Sequence, residues 1–494
     1  MRMNMLRIHP ADNVAVALTD VAPGEVITLD GVSVTAAEAI ARGHKMALRE
    51  IAEGEKIVKY GYPIGHATAA IHPGEWVHVK NVKTDLSEDS DYRYVPNCKP
   101  QTPLEPLTFR GYRRADGRAA IRNEIWIIPT VGCVNNIAQT LVRENSHLVS
   151  GTVEGLYTFP HPFGCSQMGD DHAQTRKLLA ALVNHPNAGG VLVLGLGCEN
   201  LTQEQFKAEL GAWDDRRVKF LVCQDVEDEI AEGSRLLAEL AEYVGAFKRE
   251  ELPVSELVIG MKCGGSDGLS GITANPTVGR FSDLLTAMGG STILTEVPEM
   301  FGAENILLER CTDQAVFDKA AKMINDFKHY FASHNQVVYE NPSPGNKAGG
   351  ITTLEDKSCG CVQKGGSAPV VDVLAYGEQI RTKGLNMLSG PGNDLVSATA
   401  LTAAGAHMVL FTTGRGTPFG APAPTVKIST NTALYNKKGG WIDFNAGTVA
   451  EGEPLDDAGR RLLDYVIRVA SGEATNTERR GAREISIFKD GVVL

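Results

Sequence analysis

Short apolar runs alternate with amphipathic stretches along the chain after residue 109. The apolar runs, rich in β-branched residues, predict strands at 124–130, 190–195, 218–222, 256–261 and 291–295, and near 408–412 and 425–429. Helical spacing of apolar positions predicts helices over 172–185, 226–248, 276–288, 313–333 and 455–471. Strands that alternate with helices are typical of βα units around a mostly parallel sheet.

The first 85 residues have a different texture, because one local pattern recurs in them. A glycine turn leads into a β-branched segment three times: Val21-Ala-Pro-Gly-Glu-Val-Ile27, Ile51-Ala-Glu-Gly-Glu-Lys-Ile57 and Ile71-His-Pro-Gly-Glu-Trp-Val77. Such turns are typical of β-hairpins, so we expect a small β domain. Between the first two turns, the alanine-rich stretch 36–48 predicts a short helix that ends at Gly43 and places His44 and Lys45 at its exit.

Polar and proline-rich segments divide the chain. The first such segment predicts a linker over 86–108, and a second glycine- and proline-rich crossing covers 339–350. We therefore predict an α/β protein with a small N-terminal β domain (1–85) and two α/β regions with mostly parallel sheets (109–250 and 251–494).

Composition and charge narrow the choice of partners. The chain has 494 residues, 43% of them hydrophobic, and 48 basic against 60 acidic residues give a net charge of −12. Because no run of basic residues is present, we expect neither nucleic acid nor an anionic membrane as partner. The N-terminus lacks the apolar region of a signal peptide, and no run of about 18 apolar residues occurs. We expect a cytoplasmic protein with a small-molecule ligand.

Cysteines recur where the predicted strands end. Four follow strands, Cys133, Cys198, Cys223 and Cys263, and Cys165 lies in a loop. In open α/β sheets ligands bind at the carboxyl ends of strands, so these thiols are predicted to converge on one crevice. A cysteine at a strand end is also an ordinary small core residue. Polar neighbours favour a functional role, the absence of C-x-x-C pairs argues against a zinc ribbon, and soft thiolates favour iron over magnesium.

Histidines and glycine-flanked cations form a second group. His44 and Lys45 are candidates for proton transfer, although a solvated basic pair at a helix end would look the same. His161 and His172 flank Cys165 and are candidates for acid–base chemistry or metal binding. Lys347 and Arg415 each lie among glycines, which suits a polyhydroxy carboxylate, although solvated charges on crossovers are the simpler explanation.

The segment Cys263-Gly-Gly-Ser-Asp-Gly-Leu-Ser-Gly-Ile-Thr-Ala-Asn-Pro276 lacks the glycine spacing of nucleotide-binding loops. It offers backbone N–H groups and the hydroxyl of Ser266 to a carboxylate or hydroxyl-rich ligand, and Asn275 begins the next predicted helix. We therefore expect one wall of a small-molecule site here, with Asp267 included.

Several segments, in order along nearly the whole chain, resemble the altronate and galactarate dehydratase family. They are Arg42-Gly-His-Lys-Met-Ala47, Thr130-Val-Gly-Cys133, His161-Pro-Phe-Gly-Cys165, Gly195-Leu-Gly-Cys-Glu199, the segment 263–276, Pro344-Gly-Asn-Lys-Ala-Gly-Gly350 and Thr413-Gly-Arg-Gly-Thr-Pro418. Asp170-Asp-His172 and Glu296-Val-Pro-Glu-Met-Phe-Gly302 resemble the altronate branch more than the galactarate branch. Pro162 stands where the family is expected to have threonine.

The resemblance implies a hydro-lyase that dehydrates D-altronate to 2-dehydro-3-deoxy-D-gluconate, with Fe²⁺ as activator, Mn²⁺ as a substitute and an iron–sulfur cluster not excluded. It also implies a β-clip domain of the SAF type at the N-terminus and a homo-oligomer, expected as a dimer. We expect His44, Lys45 and His161 as catalytic residues and Cys133, Cys165 and Cys198 as iron ligands, with Cys263 the weaker candidate. The expected substrate contacts are Asn123, Glu199, Ser266, Asp267, Asn275, Lys347 and Arg415.

Two alternatives stay open on the sequence. One is a dehydratase for another acid, such as galactarate or a sulfonated hydroxy acid, because loop contacts set substrate choice. The other is a sugar-acid-binding protein without activity, which would need neither the proton-transfer groups nor the thiols.

Overall fold

The computed structural model describes residues 4–86 and 91–494. Residues 87–90 of the predicted linker lie outside the described residues. Among those described, no helix has both the length and the apolar content needed to span a bilayer.

The N-terminal part is a β domain, as predicted, built from short strands in three small sheets. The strand orders are β1-β2-β5-β8, β3-β4 and β6-β7-β9. The strands are β1 (Met5–Leu6), β2 (Val14–Ala17), β3 (Val26–Leu29), β4 (Val32–Thr35), β5 (Lys45–Ala47), β6 (Lys56–Lys59), β7 (Tyr62–Ala67), β8 (Trp76–Val77) and β9 (Val82–Lys83).

The helix predicted over 36–48 is wrong, since these residues, all of them described, contain no helix. Gly43, at φ +83°, turns the chain, and the next residues form β5, which pairs with β2 on one side and β8 on the other. Alanine has a high helix propensity, but pairing on both edges of β5 overrides that preference. His44 and Lys45 therefore lie at the start of a central strand rather than at a helix exit.

The second region contains the four-stranded sheet β13-β12-β14-β15, in which all neighbours are parallel. Buried apolar residues pack on both of its faces. A small antiparallel sheet, β11-β10-β16, adjoins it. The elements are β10 (Thr108–Arg113), β11 (Ala119–Ala120), β12 (Glu124–Pro129), α1 (Asn135–Glu144), β13 (Gly155–Thr158), α2 (Gly169–Val183), β14 (Ala188–Gly195), α3 (Gln203–Leu210), β15 (Val218–Val222), α4 (Glu229–Gly245) and β16 (Arg249–Pro253).

The third region is built on a seven-stranded parallel sheet in the order β19-β20-β18-β17-β21-β22-β23. Its strands are β17 (Val258–Cys263), β18 (Ser291–Leu294), β19 (Val370–Leu374), β20 (Leu385–Leu388), β21 (Met408–Thr413), β22 (Thr425–Ser429) and β23 (Phe444–Asn445). Its helices are α5 (Ala274–Ala287), α6 (Glu304–Leu308), α7 (Gln314–Ser333), α8 (Pro344–Ala348), α9 (Leu354–Cys361), α10 (Asp394–Ala403), α11 (Thr432–Lys437), α12 (Leu455–Ala470) and α13 (Asn476–Arg479). The predicted fold class is confirmed, with mostly parallel sheets following the β domain.

The prediction that four strand ends share one crevice is wrong for Cys263. Cys133, Cys198 and Cys223 follow β12, β14 and β15 of the four-stranded sheet, whereas Cys263 ends β17 of the other sheet. The small sheet β11-β10-β16 was not predicted from the apolar pattern; its strand β16 lies in the chain between β15 of the first parallel sheet and β17 of the second.

The β domain shares its core with the third region. Ile57 and Ile64 belong to the same buried cluster as Met261 and Leu294 of the seven-stranded sheet. Because this apolar surface is continuous, the position of the β domain on the third region is fixed by packing.

A buried chain of alternating charges ties the C-terminal tail to the second region. Arg483 lies 2.7 Å from Glu124 and 3.2 Å from Glu478, and Glu478 lies 2.7 Å from Arg122. All four side chains are less than a tenth exposed.

Arg483→Met should lower the free energy of unfolding by about 3–5 kcal/mol, because it leaves the buried Glu124 carboxylate without a cation. Arg468→Met is the matched control: Arg468 pairs with Glu473 at the surface, where such pairs contribute about 0–1 kcal/mol. Urea unfolding of both variants measures the difference. Equal midpoints for the two would contradict the assignment.

Candidate active site

The segments singled out in the sequence from the first and third regions meet at one place. The backbone of Gly43 passes between the 263–273 loop and the turn after α8, where Gly268 N–H donates to Gly349 O at 2.7 Å. A methyl group at Gly268 would lie 1.9 Å from Gly43 O, and one at Gly350 would lie 2.3 Å from it. The glycines of these loops therefore permit close backbone contact between the β domain and the third region.

A narrow cavity, with a volume of only about 10 Å³ in this conformation, lies beside this contact. Both the β domain and the third region line it, so a ligand inside it contacts both. The lining includes Lys59, Tyr60, Ser266, Asp267, Ser270, Asn275, Asp356, Lys357 and Cys361. A wider, open cleft between the linker and the third region is lined by Lys99, Gln101 and Arg310 and contains none of the predicted site residues.

Two lysines of the β domain share one carboxylate of α9. Lys45 Nζ lies 2.8 Å from Asp356 Oδ2 and Lys59 Nζ lies 2.9 Å from Asp356 Oδ1, and all three side chains are buried. Burial, together with the charge of Lys59, lowers the pKa of Lys45 to about 8 despite the attraction of Asp356. Burial also opposes the charge of Lys59, but Asp356 outweighs it and raises the Lys59 pKa. Lys45 is therefore the lysine of this pair that releases its proton more readily.

His44 is held as a neutral imidazole. Trp76 Nε1 donates to His44 Nδ1 at 3.1 Å, so the ring proton lies on Nε2, which is 3.4 Å from Ala348 O. Burial and the charge of Lys45 lower the pKa of His44. The ring makes edge contacts with Trp76 and His78, which fix its orientation.

Three of the predicted substrate contacts, Ser266, Asp267 and Asn275, line the cavity. Asp267 accepts from Thr430 at 2.9 Å and from Ser270 at 3.1 Å, and burial raises its pKa. Asn275 donates to Gly360 O and accepts from Thr412, which leaves Ser266 with the freer polar group.

Lys347 and Arg415 are placed near the site but not in the cavity lining. Arg415 is exposed and donates to Gly345 O at 2.6 Å, so it joins the 413–418 loop to α8. Asn346, adjacent to Lys347, makes the contact with the 263–273 loop by donating to Ser266 O at 2.8 Å. The cations that do line the cavity are Lys59 and Lys357, neither of which lies in a pattern that predicts a site.

A buried cluster of charges and thiols adjoins the cavity and was not predicted. Lys262 pairs with Glu296 and Asp394, Lys364 with Glu296, and Lys357 with Glu299. The thiols of Cys263 and Cys361 both lie against Glu299. The sequence feature that marks this cluster is the charged run 355–357. Such a run is typical of a solvent-exposed helix face, whereas α9 is buried throughout.

Cys133, Cys165 and Cys198 lie on three neighbouring loops at the carboxyl end of the four-stranded sheet, and all three are exposed. Gly132 N–H donates to Phe163 O, and Leu201 N–H donates to Gly164 O. These bonds bring the three loops together at one end of the sheet, as predicted for this trio.

The three thiols of this trio are soft donors of a type that binds iron or zinc. Soft thiolates select iron or zinc, and three thiolates bound to one ion at about 2.3 Å lie about 4 Å apart. Among the described residues, only Cys263, Glu299 and Cys361 have ligand atoms all within 4.8 Å of one another. The sulfurs of Cys133, Cys165 and Cys198 are therefore not all within that distance of one another.

Three other predicted residues, His161, Glu199 and Asn123, make hydrogen bonds within the second region. His161 Nε2 lies 2.8 Å from Pro129 O and its Nδ1 accepts from Phe163 N–H, so both nitrogens hold the loop. Glu199 accepts from the backbone of Leu196 and Gly197. These placements argue against a catalytic His161 and a substrate contact at Glu199.

Asn123 lies at the other end of the sheet, just before β12 begins. Its side chain accepts from Arg114 and donates to the carbonyls of Thr152 and Val244. The predicted substrate contact at Asn123 is therefore wrong, since the residue is fully buried and fully bonded.

Three family models match successive parts of the chain. "Altronate/galactarate dehydratase SAF domain" matches residues 3–85, "D-galactarate dehydratase/Altronate hydrolase, second domain" matches 111–245, and "D-galactarate/Altronate dehydratase, C-terminal" matches 254–493. The SAF model covers the β domain described above.

Full-length relatives carry the same description. The chain is 54% identical to altronate dehydratase of Bacillus subtilis, over 99% of this chain and 100% of that protein. It is 52% identical to altronate dehydratase of Escherichia coli, over 100% of each chain. Galactarate dehydratase (L-threo-forming) of Escherichia coli is 34% identical, over 95% of this chain and 93% of that protein. The chain therefore belongs to the altronate/galactarate dehydratase family, a family of hydro-lyases.

Proposed function

We propose that this chain is a hydro-lyase that converts D-altronate to 2-dehydro-3-deoxy-D-gluconate in hexuronate catabolism in the cytoplasm. The observation that carries the proposal is the docking of His44 and Lys45 beside a cavity lined by Ser266, Asp267 and Asn275. The two relatives above 50% identity, both called altronate dehydratase, favour altronate over galactarate. We expect a homodimer and neither nucleic acid nor membrane as partner.

The reaction removes the C2 proton next to the carboxylate and expels the C3 hydroxyl, and the resulting enol becomes the ketone. Lys45, whose pKa of about 8 leaves part of it neutral near pH 7, takes the C2 proton. His44 Nε2–H donates to the departing hydroxyl in place of its weak contact with Ala348 O. Lys59 stays charged and balances the substrate carboxylate.

Ferrous iron is proposed as the cofactor, with Mn²⁺ as a substitute, held by Cys133, Cys165 and Cys198. When bound, iron supplies Lewis-acid chemistry for a hydroxyl or carboxylate oxygen. The support is the exposure of the three thiols and their position on loops joined by backbone hydrogen bonds.

The proposed activity is tested by incubating the anaerobically purified protein and Fe²⁺ with D-altronate, galactarate and related aldonates. We expect 2-keto product from altronate, with kcat/KM at least tenfold above that for galactarate. Product from galactarate alone would overturn the altronate assignment, and no product from any acid would favour a binding protein.

Lys45→Met should lower kcat by about 10²–10⁴-fold, the usual contribution of a general base. In the unmodified enzyme kcat/KM should rise as pH increases through about 8, because the neutral amine, the form that accepts a proton, gains population. Pre-steady-state exchange of the C2 proton with deuterium separates base loss from other damage.

Lys59→Met is the matched control, since Lys59 bonds to the same carboxylate. It should raise KM more than it lowers kcat, and it should retain C2 exchange. If Lys45→Met exchanges the C2 proton at the unmodified rate, Lys45 is not the base.

Single Cys→Ser variants at 133, 165 and 198 should each lose bound iron, measured by metal and sulfide analysis, together with activity. Cys98→Ser is the control, because this half-buried thiol lies in the linker, away from the three loops. Full iron content in all three variants would rule out ligation by these thiols.

A further inference from the structure

Two buried thiols of the third region lie against one another. Cys263 Sγ, at the end of β17, is 3.4 Å from Cys361 Sγ, at the end of α9. Both residues are less than a twentieth exposed, and Cys361 borders the cavity. The two sulfurs are within the distance from which a small movement forms a bond, since a disulfide is about 2.0 Å long.

The surroundings of the pair are charged rather than apolar. Glu299 Oε2 accepts from Cys361 Sγ at 3.1 Å and from Cys263 Sγ at 3.3 Å. Lys357 holds the other oxygen of Glu299 at 2.7 Å, and Lys262 and Lys364 hold Glu296 on the strand side. Such a setting is unusual for cysteines that only fill a core, because every one of these charges must be paired when it is buried.

The thiolate is the reactive form of cysteine, and Lys364 favours it at Cys361 less than the hydrogen bond with Cys263 and burial oppose it, so the pKa of Cys361 stays high. Each of the three ammonium groups is paired with a carboxylate, Lys262 and Lys364 with Glu296 and Lys357 with Glu299. The proposed dehydration uses neither sulfur. Two thiols in direct contact are placed for oxidation to a disulfide.

We propose that Cys263 and Cys361 form a reversible disulfide when hydrogen peroxide reaches the cavity, and that this bond switches the site off. One sulfur loses its proton and attacks a peroxide oxygen, which breaks the O–O bond, releases water and leaves a sulfenic acid. The second sulfur then attacks the first and displaces hydroxide, which leaves as water. Two thiols and one peroxide thus give one disulfide and two waters, with two electrons passing from sulfur to oxygen.

The bond would disturb the residues that define the cavity. Closing the 3.4 Å gap to about 2.0 Å draws the end of α9 toward β17. Asp356 and Lys357 belong to the same helix, so the position of the Lys45 and Lys59 partner changes with it. Glu299 also loses both thiol donors. The hydrogen bond with Cys263 and burial hold the pKa of Cys361 well above its usual range, so oxidation should be faster at alkaline pH.

Mass spectrometry of tryptic peptides tests for the bond directly. Trypsin releases peptide 263–280 and peptide 358–364, and the second also contains Cys359. A Cys359→Ala background removes this ambiguity, and buried Cys311 serves as the internal reference. After brief treatment with peroxide and alkylation of free thiols, we expect the cross-linked peptide pair in more than half of the molecules, with Cys311 still alkylated. Free thiols at 263 and 361 under these conditions, or oxidation no greater than that of Cys311, would overturn the proposal.

The effect on the site rests on the proposed function and is measured separately. In the Cys359→Ala protein, dehydratase activity should fall at least tenfold as the cross-linked peptide accumulates, and dithiothreitol should restore it. In the Cys359→Ala/Cys361→Ser protein, peroxide should change activity less than twofold relative to its own untreated rate. Equal inactivation of both proteins would assign the loss to the exposed thiols and overturn the switch. If no acid is dehydrated at all, the proposed function fails while the peptide result still stands.

Discussion

The buried charges of α9 are the constraint on which the position of the β domain against the third region depends. Every residue of this helix is buried, yet three successive positions are ionisable. Each has a partner from a different part of the chain: Glu355 accepts from Thr84 before the linker, Asp356 binds the β domain lysines and Lys357 binds Glu299. Because an unpaired buried charge is strongly destabilising, these contacts act together with the shared apolar core to fix one orientation of the β domain. A change in the position of α9 would therefore alter the contacts of Glu355, Asp356 and Lys357 together.

The same constraint explains why two lysines behave differently beside one carboxylate. Asp356 is held well below its usual pKa by Lys45 and Lys59, although burial alone would raise it. One carboxylate balances the charge of one ammonium group, so a second ammonium group beside Asp356 leaves an excess positive charge. Lys45 is entirely enclosed, and within the described part of the chain its ammonium group bonds to Asp356 and to the Gly350 carbonyl. A neutral amine there satisfies the local charge balance, which is the state that a general base needs before substrate binds.

The periodicity of apolar residues correctly predicted elements whose burial follows from their own sequence. It gave wrong predictions where contacts with a distant segment determine the secondary structure or the burial. Strands 218–222 and 425–429 are observed at the predicted bounds, the first as a partly buried edge strand and the second as a fully buried inner strand of a parallel sheet. The stretch 36–48 was misread because the partners of β5 lie in β2 and β8, which no local pattern reveals. The α9 segment carries acidic and basic side chains, which favour a solvated helix, and only their partners elsewhere make its burial possible. Cysteine position predicted the neighbouring loops of Cys133, Cys165 and Cys198, but Cys361 has no strand before it and its contact with Cys263 spans two elements.

In the glycine-rich segment after β17, the glycines serve close backbone packing rather than phosphate binding. Its glycines lack the spacing of a phosphate-binding loop, and the structure gives them another task. Gly268 has no room for a methyl group because the backbone of the β domain passes 1.9 Å from where it would lie. The neighbouring Ser266, Asp267 and Asn275 border the cavity that this contact closes. One short loop therefore packs closely against a second backbone and also presents polar side chains to the cavity. Because its glycines have no side chains, the β domain comes near enough for its lysines to reach α9. The glycines permit the close approach of the β domain to the third region, and the charges of α9 bind the lysines that this approach brings near.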